Sequence, residues 1–168
     1  MLYAFAFDRA GVVVGDLYFV DPRPNPGQEG AEQGVRLELR VVERSELTGS
    51  IYSAQPIAVD RPIWRADLLE SVANPGSLDR AHHHPAFRGW EPGPRRFEAE
   101  LTADPVAWLE KRLGELDAHH AELDHADAAA IKDAAPEIVD VVRRLLDRVR
   151  AAGHGAHDAP ASARVGWL

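Results

Sequence analysis

Three consecutive histidines stand in the run Arg80-Ala81-His82-His83-His84-Pro85. An Arg65-Ala66-Asp67-Leu68 segment precedes them across Asn74-Pro75-Gly76-Ser77. Imidazole titrates nearer neutral pH than any other unperturbed side chain and is a leading metal ligand. A neighbouring carboxylate either orients one ring nitrogen for general-base work or supplies a further ligand to an ion. Nowhere else does the chain concentrate acid/base and ligand-type groups beside arginine in this way.

The turn chemistry of Asn74 to Ser77 predicts a hairpin of residues 63–72 with 78–84, centred on Pro75-Gly76. In that register Asp67 faces His84 and Leu69 faces His82. Because side chains alternate across a sheet, Arg65, Asp67, Arg80, His82 and His84 share one face. Trp64, Ala66, Leu68, Ala81 and His83 share the other. The second set is core material, whereas the first is costly to bury unpaired. Two chemistries fit the polar set. In one, His82, His84 and Asp67 bind a divalent metal (Zn, Ni, Mn or Fe), since the absence of cysteine removes thiolate ligands. In the other no metal is needed: Asp67 orients His84 as the base, and Arg65 and Arg80 hold an anion. His84, Asp67 and Arg65 are thus the expected catalytic residues. Arg80, Trp90 and Arg95 are the expected substrate-binding ones, the last two on a loop stiffened by Gly89, Pro92, Gly93 and Pro94. The competing expectation is a purely structural network in which Asp67 and His84 satisfy each other.

The elements that must position these groups change period midway. Leu2 to Phe7 reads as a strand with Tyr3, Phe5 and Phe7 on one face, turning at Asp8–Gly11 into a strand over Val12 to Val20. Pro22, Pro24 and Pro26 exclude the following stretch, up to Gly34, from a sheet interior. Val35 to Val41 alternates strictly, with Val35, Leu37, Leu39 and Val41 inward. Residues 51–59 read as a strand ended by Asp60-Arg61-Pro62. Asp104 then caps a helix opened by Pro105, with Val106, Leu109, Leu113 and Leu116 on one stripe. Pro136 opens a second helix carrying Ile138, Val142, Leu145 and Val149, stopped by Gly153. Strands followed by helices define the α+β class. The expectation is an antiparallel sheet of five to six strands over residues 2–84, backed by helices at about 105–123 and 136–152. Residues 1–153 form the expected domain, and 154–168 the expected mobile tail. His119, His120 and His125 read as a solvated helix end.

Composition bounds the partners. A net charge of −8 over 168 residues argues against nucleic acid. Residues 61–96 are nonetheless mildly positive, which suits a small anionic ligand. No apolar run reaches the length of a membrane span, and Met1 to Asp8 lacks a basic leader segment, so the expected compartment is the cytoplasm. No Gly-rich phosphate loop, Gly-x-Ser-x-Gly elbow or His-Glu-x-x-His is present. An exposed edge such as Leu2–Phe7 offers a route to a homodimer.

Arg65-Ala66-Asp67-Leu68 and His82-His83-His84-Pro85-x-Phe87-x-Gly89-Trp90-Glu91-Pro92 resemble signatures of an uncharacterised bacterial domain of actinobacterial type, over about residues 50–110. The resemblance implies no catalytic residue. The functional expectation is therefore a hydrolase or lyase acting on a small anionic compound, with or without a divalent metal. The alternatives are a non-catalytic protein-interaction module and a metal-free, ribonuclease-like toxin.

Overall fold

Alternation in the third strand organises the molecule. Val35, Leu37 and Leu39 are each fully buried on one side, while Arg36, Glu38 and Arg40 project from the other. The computed structural model describes residues 1–120 and 123–152. Strands β1 (Leu2–Ala6), β2 (Ala10–Val20), β3 (Ala31–Arg44), β4 (Ile57–Ser71) and β5 (His82–His84) form one antiparallel sheet in chain order. Two short strands, β6 (Phe87–Arg88) and β7 (Glu91–Pro92), pair as a separate ribbon. Helices α1 (Ala99–Ala103), α2 (Pro105–Gly114), α3 (Leu116–His119) and α4 (His125–Ala152) complete an α+β architecture. No helix among the described residues is long and apolar enough to cross a membrane.

The core lies between the sheet and the helices. Val12, Val14, Val35, Leu37, Leu39, Trp64, Ala66 and Leu68 from the strands meet Leu109, Leu113, Ile131, Ile138, Val142 and Leu145 from α2 and α4. Polar contacts fix how α4 lies on the sheet. The buried Asp127 accepts the backbone N–H groups of Asp8 and Arg9, both at 2.9 Å, and so clamps the β1–β2 turn to the first turn of the helix. Near its other end Arg148 pairs with Asp16, and Arg150 reaches Glu70 at 3.1 Å. The expected cap of α2 is present: Asp104 accepts Ala107 N–H at 3.0 Å, with Pro105 at the first helical position.

Several element boundaries differ from the sequence expectation. Residues 51–53 turn rather than extend, with Ile51 and Tyr52 exposed, and β4 runs through Asp60-Arg61-Pro62 instead of breaking there. Pro62 is accommodated because β3 and β4 shift register between Leu39 and Val42, and such a bulge does not need the missing N–H. The helix expected over 105–123 ends at Gly114 and is followed by the short α3; α1 precedes it unforeseen. The helix expected from Pro136 begins at His125 instead. Pro136 costs one backbone hydrogen bond, but Ala128 to Ala130, Ala134 and Ala135 favour helix, and Ile131 and Ile138 bury themselves in the same core on either side of it. The segment 154–168, expected to be mobile, lies outside the described residues.

Candidate metal centre

The hairpin between β4 and β5 forms as expected, but two residues out of the expected register. Asp67 pairs with His82, Ala66 with His83 and Arg65 with His84. The connection is longer than a tight turn. Asn74 N–H bonds Ser71 C=O, and Ala81 N–H bonds Leu78 C=O at 2.9 Å, so Leu78 to Ala81 form a turn, and only Arg80 N–H reaches across to β4, at Leu69 C=O, 3.1 Å. A slip of one residue would have exchanged the faces of the strand, whereas a slip of two preserves them. His82 and His84 therefore share a face with Arg65 and Asp67, and His83 points to the helical side with Trp64.

On the polar face β3 contributes a third rung. Arg36 stands opposite Asp67 and Glu38 opposite Arg65. Asp67 is fully buried, and its Oδ1 accepts Arg36 Nε at 2.6 Å. Its Oδ2 lies 2.8 Å from Arg65 Nε, 3.3 Å from His82 Nε2 and 3.6 Å from His84 Nε2. None of these approaches has hydrogen-bond alignment, so Oδ2 is a buried oxygen without a hydrogen bond, and Arg65 Nε likewise lacks an aligned acceptor. The two imidazoles are held from behind. His82 Nδ1 meets the carbonyl of Arg80 at 2.8 Å and His84 Nδ1 meets that of Gly93 at 2.7 Å. A carbonyl only accepts, so each Nδ1 carries the proton and each Nε2 faces inward toward Oδ2. Arg65 Nη2 donates to His84 Nε2 at 2.9 Å.

Electrostatics follow from this packing. Burial by itself pushes the Asp67 carboxyl upward. The charges of the adjacent Arg36 and Arg65 guanidinium groups oppose it, and the group is held well below the usual carboxylate range. His84 is pushed down to about 4, first by burial and then by the Arg65 charge, so it is neutral at physiological pH. One donor atom each from Asp67, His82 and His84 lies within 4.8 Å of the other two. An ion bonded at about 2.0–2.2 Å to three such donors separates them by roughly 3 to 3.5 Å. The gaps from Oδ2 to the two Nε2 atoms are 3.3 and 3.6 Å, within that range and just above it. Backbone carbonyls behind both rings provide the second layer that fixes tautomer and orientation in histidine metal sites.

The remaining expected residues lie at the margin. Arg80 donates to Gly27 C=O at 2.7 Å and approaches Glu32 at 3.9 Å, so its backbone carbonyl, rather than its guanidinium, serves the centre. Arg95 bonds Gln28 Oε1 at 3.2 Å and thereby ties the proline-rich loop to the segment after β5. Trp90 lies over Arg40, 5.5 Å from the guanidinium carbon. Phe87 covers Arg65, and Phe97 stands 5.5 Å from the His82 ring. Sequence reasoning missed Arg36 and Phe97. Arg36 was legible as a polar-face residue of an alternating strand, but no local signal places β3 beside β4.

The other face of β5 carries a second network. Glu98 accepts His83 Nε2 at 2.9 Å, Trp108 Nε1 at 2.7 Å and both contacts from Arg112 Nη2, at 2.9 and 3.0 Å. Burial raises its carboxyl, but the bonds from Trp108 and Arg112 dominate and hold it at about 2. The folded value lies below the unfolded one, so this contribution to stability is complete above about pH 5 and is lost as pH falls toward about 2. Glu98→Gln is expected to cost about 1–2 kcal/mol at neutral pH, reduced from the full linkage value because the side chain is 30% exposed. Urea unfolding at about pH 7 and about pH 3 checks this: the gap between parent and variant narrows in acid. A gap of equal size at both values contradicts the assignment.

No family model, curated protein or solved structure matches this chain. The class that fold and site define is therefore set by the geometry alone: an antiparallel α+β protein with a buried two-histidine, one-carboxylate cluster bracketed by arginines.

Proposed function

We propose that this protein is a metal-dependent hydrolase or lyase acting on a small anionic compound, with a divalent transition ion held by His82 Nε2, His84 Nε2 and Asp67 Oδ2. One observation carries the reading. Both Nδ1 atoms are occupied by main-chain carbonyls, so two inward nitrogens converge on a buried carboxylate oxygen that has no hydrogen bond of its own. Nitrogen and oxygen donors without thiolate suit Zn, Ni, Mn or Fe. Such an ion supplies Lewis-acid chemistry. Arg65, against both Asp67 and His84, supplies the positive charge that an anionic substrate would meet.

Arg65 also favours a second reading. Its guanidinium bridges Asp67 Oδ2 and His84 Nε2, where a cation is needed, and a metal-free Arg/His/Asp cluster would then join β4 to β5. Metal analysis of protein purified without a histidine tag separates the two. About one equivalent of ion per chain is expected, lost in His82→Ala and His84→Ala variants whose circular dichroism is unchanged. Absence of metal after purification, together with no calorimetric response to added Zn²⁺, Ni²⁺, Mn²⁺ or Fe²⁺, overturns the metal reading and leaves the network.

A further inference from the structure

Opposite the polar cluster, on the helical side of β5, lies a cavity of about 120 Å³ lined by Trp64, His83, Pro85, Arg112, Leu116, His119 and His120. We propose that it is a binding site for a small aromatic carboxylate, an anion of one planar ring. A cavity of about 150 Å³ is known to accommodate a benzene ring, so this one is on the scale of one ring and too small for two.

Shape and chemistry narrow the class. Trp64 is 2% exposed and stacks on Trp108 with ring centres 6.0 Å apart, so its indole is a fixed wall rather than a mobile side chain. The His83 ring stands 6.4 Å from Trp64 and the His120 ring 6.2 Å, both tilted, which gives a planar guest aromatic edges and faces to meet. Pro85 and Leu116 add apolar surface. The His83 ring is itself held by the Trp64 indole N–H on Nδ1, at 3.4 Å, and by Glu98 on Nε2, so its orientation in the site is fixed.

Charge sets the sign of the guest. None of the described lining residues is a carboxylate, and one is a guanidinium. Glu98 takes Arg112 through Nη2 alone. Nη1 has a contact of only 3.5 Å with His119 Nε2, too long to be a strong bond. That leaves Arg112 a donor edge toward the cavity, at a place where a carboxylate forms charge-assisted hydrogen bonds. Such an anion would join an existing Glu98–Arg112 pair on its free side, and the ring would lie against Trp64.

Titration of the ¹⁵N-labelled full chain with benzoate, benzyl alcohol and acetate, followed through the indole N–H signals, tests this. Benzoate is expected to shift the Trp64 and Trp108 signals saturably while leaving Trp90, on the far face, unmoved. Benzyl alcohol, of similar size but neutral, is expected to bind about tenfold more weakly, the loss of one charge-assisted contact. Acetate, which lacks the ring, is expected to produce no saturable shift of Trp64. His119→Phe, at a half-exposed rim position where folding is not at stake, is expected to abolish the benzoate response by filling the mouth. An unmoved Trp64 signal overturns the proposal, as does an equal response to benzyl alcohol or a benzoate response unchanged in His119→Phe.

Discussion

Replacing Asp67 by asparagine is expected to destabilise the protein by about 3–5 kcal/mol, the penalty of leaving buried charge uncompensated. The carboxylate is fully buried between Arg36 at 2.6 Å and Arg65 at 2.8 Å, so its loss strands two guanidinium groups. Arg36 keeps 27% of its side chain exposed and recovers some hydration by turning outward. Arg65, at 14%, has less freedom; it keeps its bond to His84 but loses the negative charge that balances it at 2.8 Å. Asparagine retains an acceptor for Arg36 Nε, so Asp67→Ala is expected to cost more than Asp67→Asn. The urea midpoint should fall while the slope is unchanged, since the native surface stays the same. The linkage sign is that of a depressed carboxylate: its contribution is present above the unfolded pKa of about 4 and is lost as pH falls. A neutral Asp67→Asn would show that water reaches Arg36 and Arg65, and would remove the physical basis for a held cluster at this position.

Gly34→Ala is expected to be comparably damaging, at about 2–5 kcal/mol, from backbone strain and steric overlap together. Gly34 pairs with Leu69, one rung beyond Arg36 and Asp67 on the same face. Its φ is +152°, and a Cβ there would stand 2.1 Å from the Leu68 carbonyl oxygen and 3.0 Å from Leu69 Cα. Both are main-chain atoms of β4, so nothing flexible can yield, and the two strands must part beside the site. Gly30→Ala is the internal control: φ is +96°, but no atom lies within 4 Å of its Cβ position, so only the strain remains. Comparison of urea midpoints for the two variants should show the Gly34 variant markedly less stable. Equal losses would mean that close strand approach is not what the glycine serves.

The sequence was most legible where a single element carries its own period. Val35, Leu37 and Leu39 announced both a strand and its buried face. Asp104-Pro105 announced a helix start through local capping chemistry. The hairpin after Trp64 was legible because alternation requires Arg65, Asp67, His82 and His84 to share a face, and a register error of two residues left that intact. Legibility failed where remote packing outweighed a local rule. Pro62 marked a break and Pro136 a start, yet both lie inside continuous elements. His120 looked like part of a solvated helix end, but only 8% of it is exposed and it lines a cavity against Trp64.

The chain by itself determined the α+β class, the two faces of β1, of β3 and of the β4–β5 hairpin, and the company of one carboxylate with two imidazoles, because all of these follow from side-chain alternation and turn chemistry between near neighbours. Tertiary structure alone decided that Arg36 from β3 closes on Asp67, that the carbonyls of Arg80 and Gly93 fix both rings, and that Arg80 and Arg95 face the proline-rich loop instead. Those outcomes depend on which strands become neighbours and how a long connection folds back. Both are settled by burial of the whole core rather than by any local pattern.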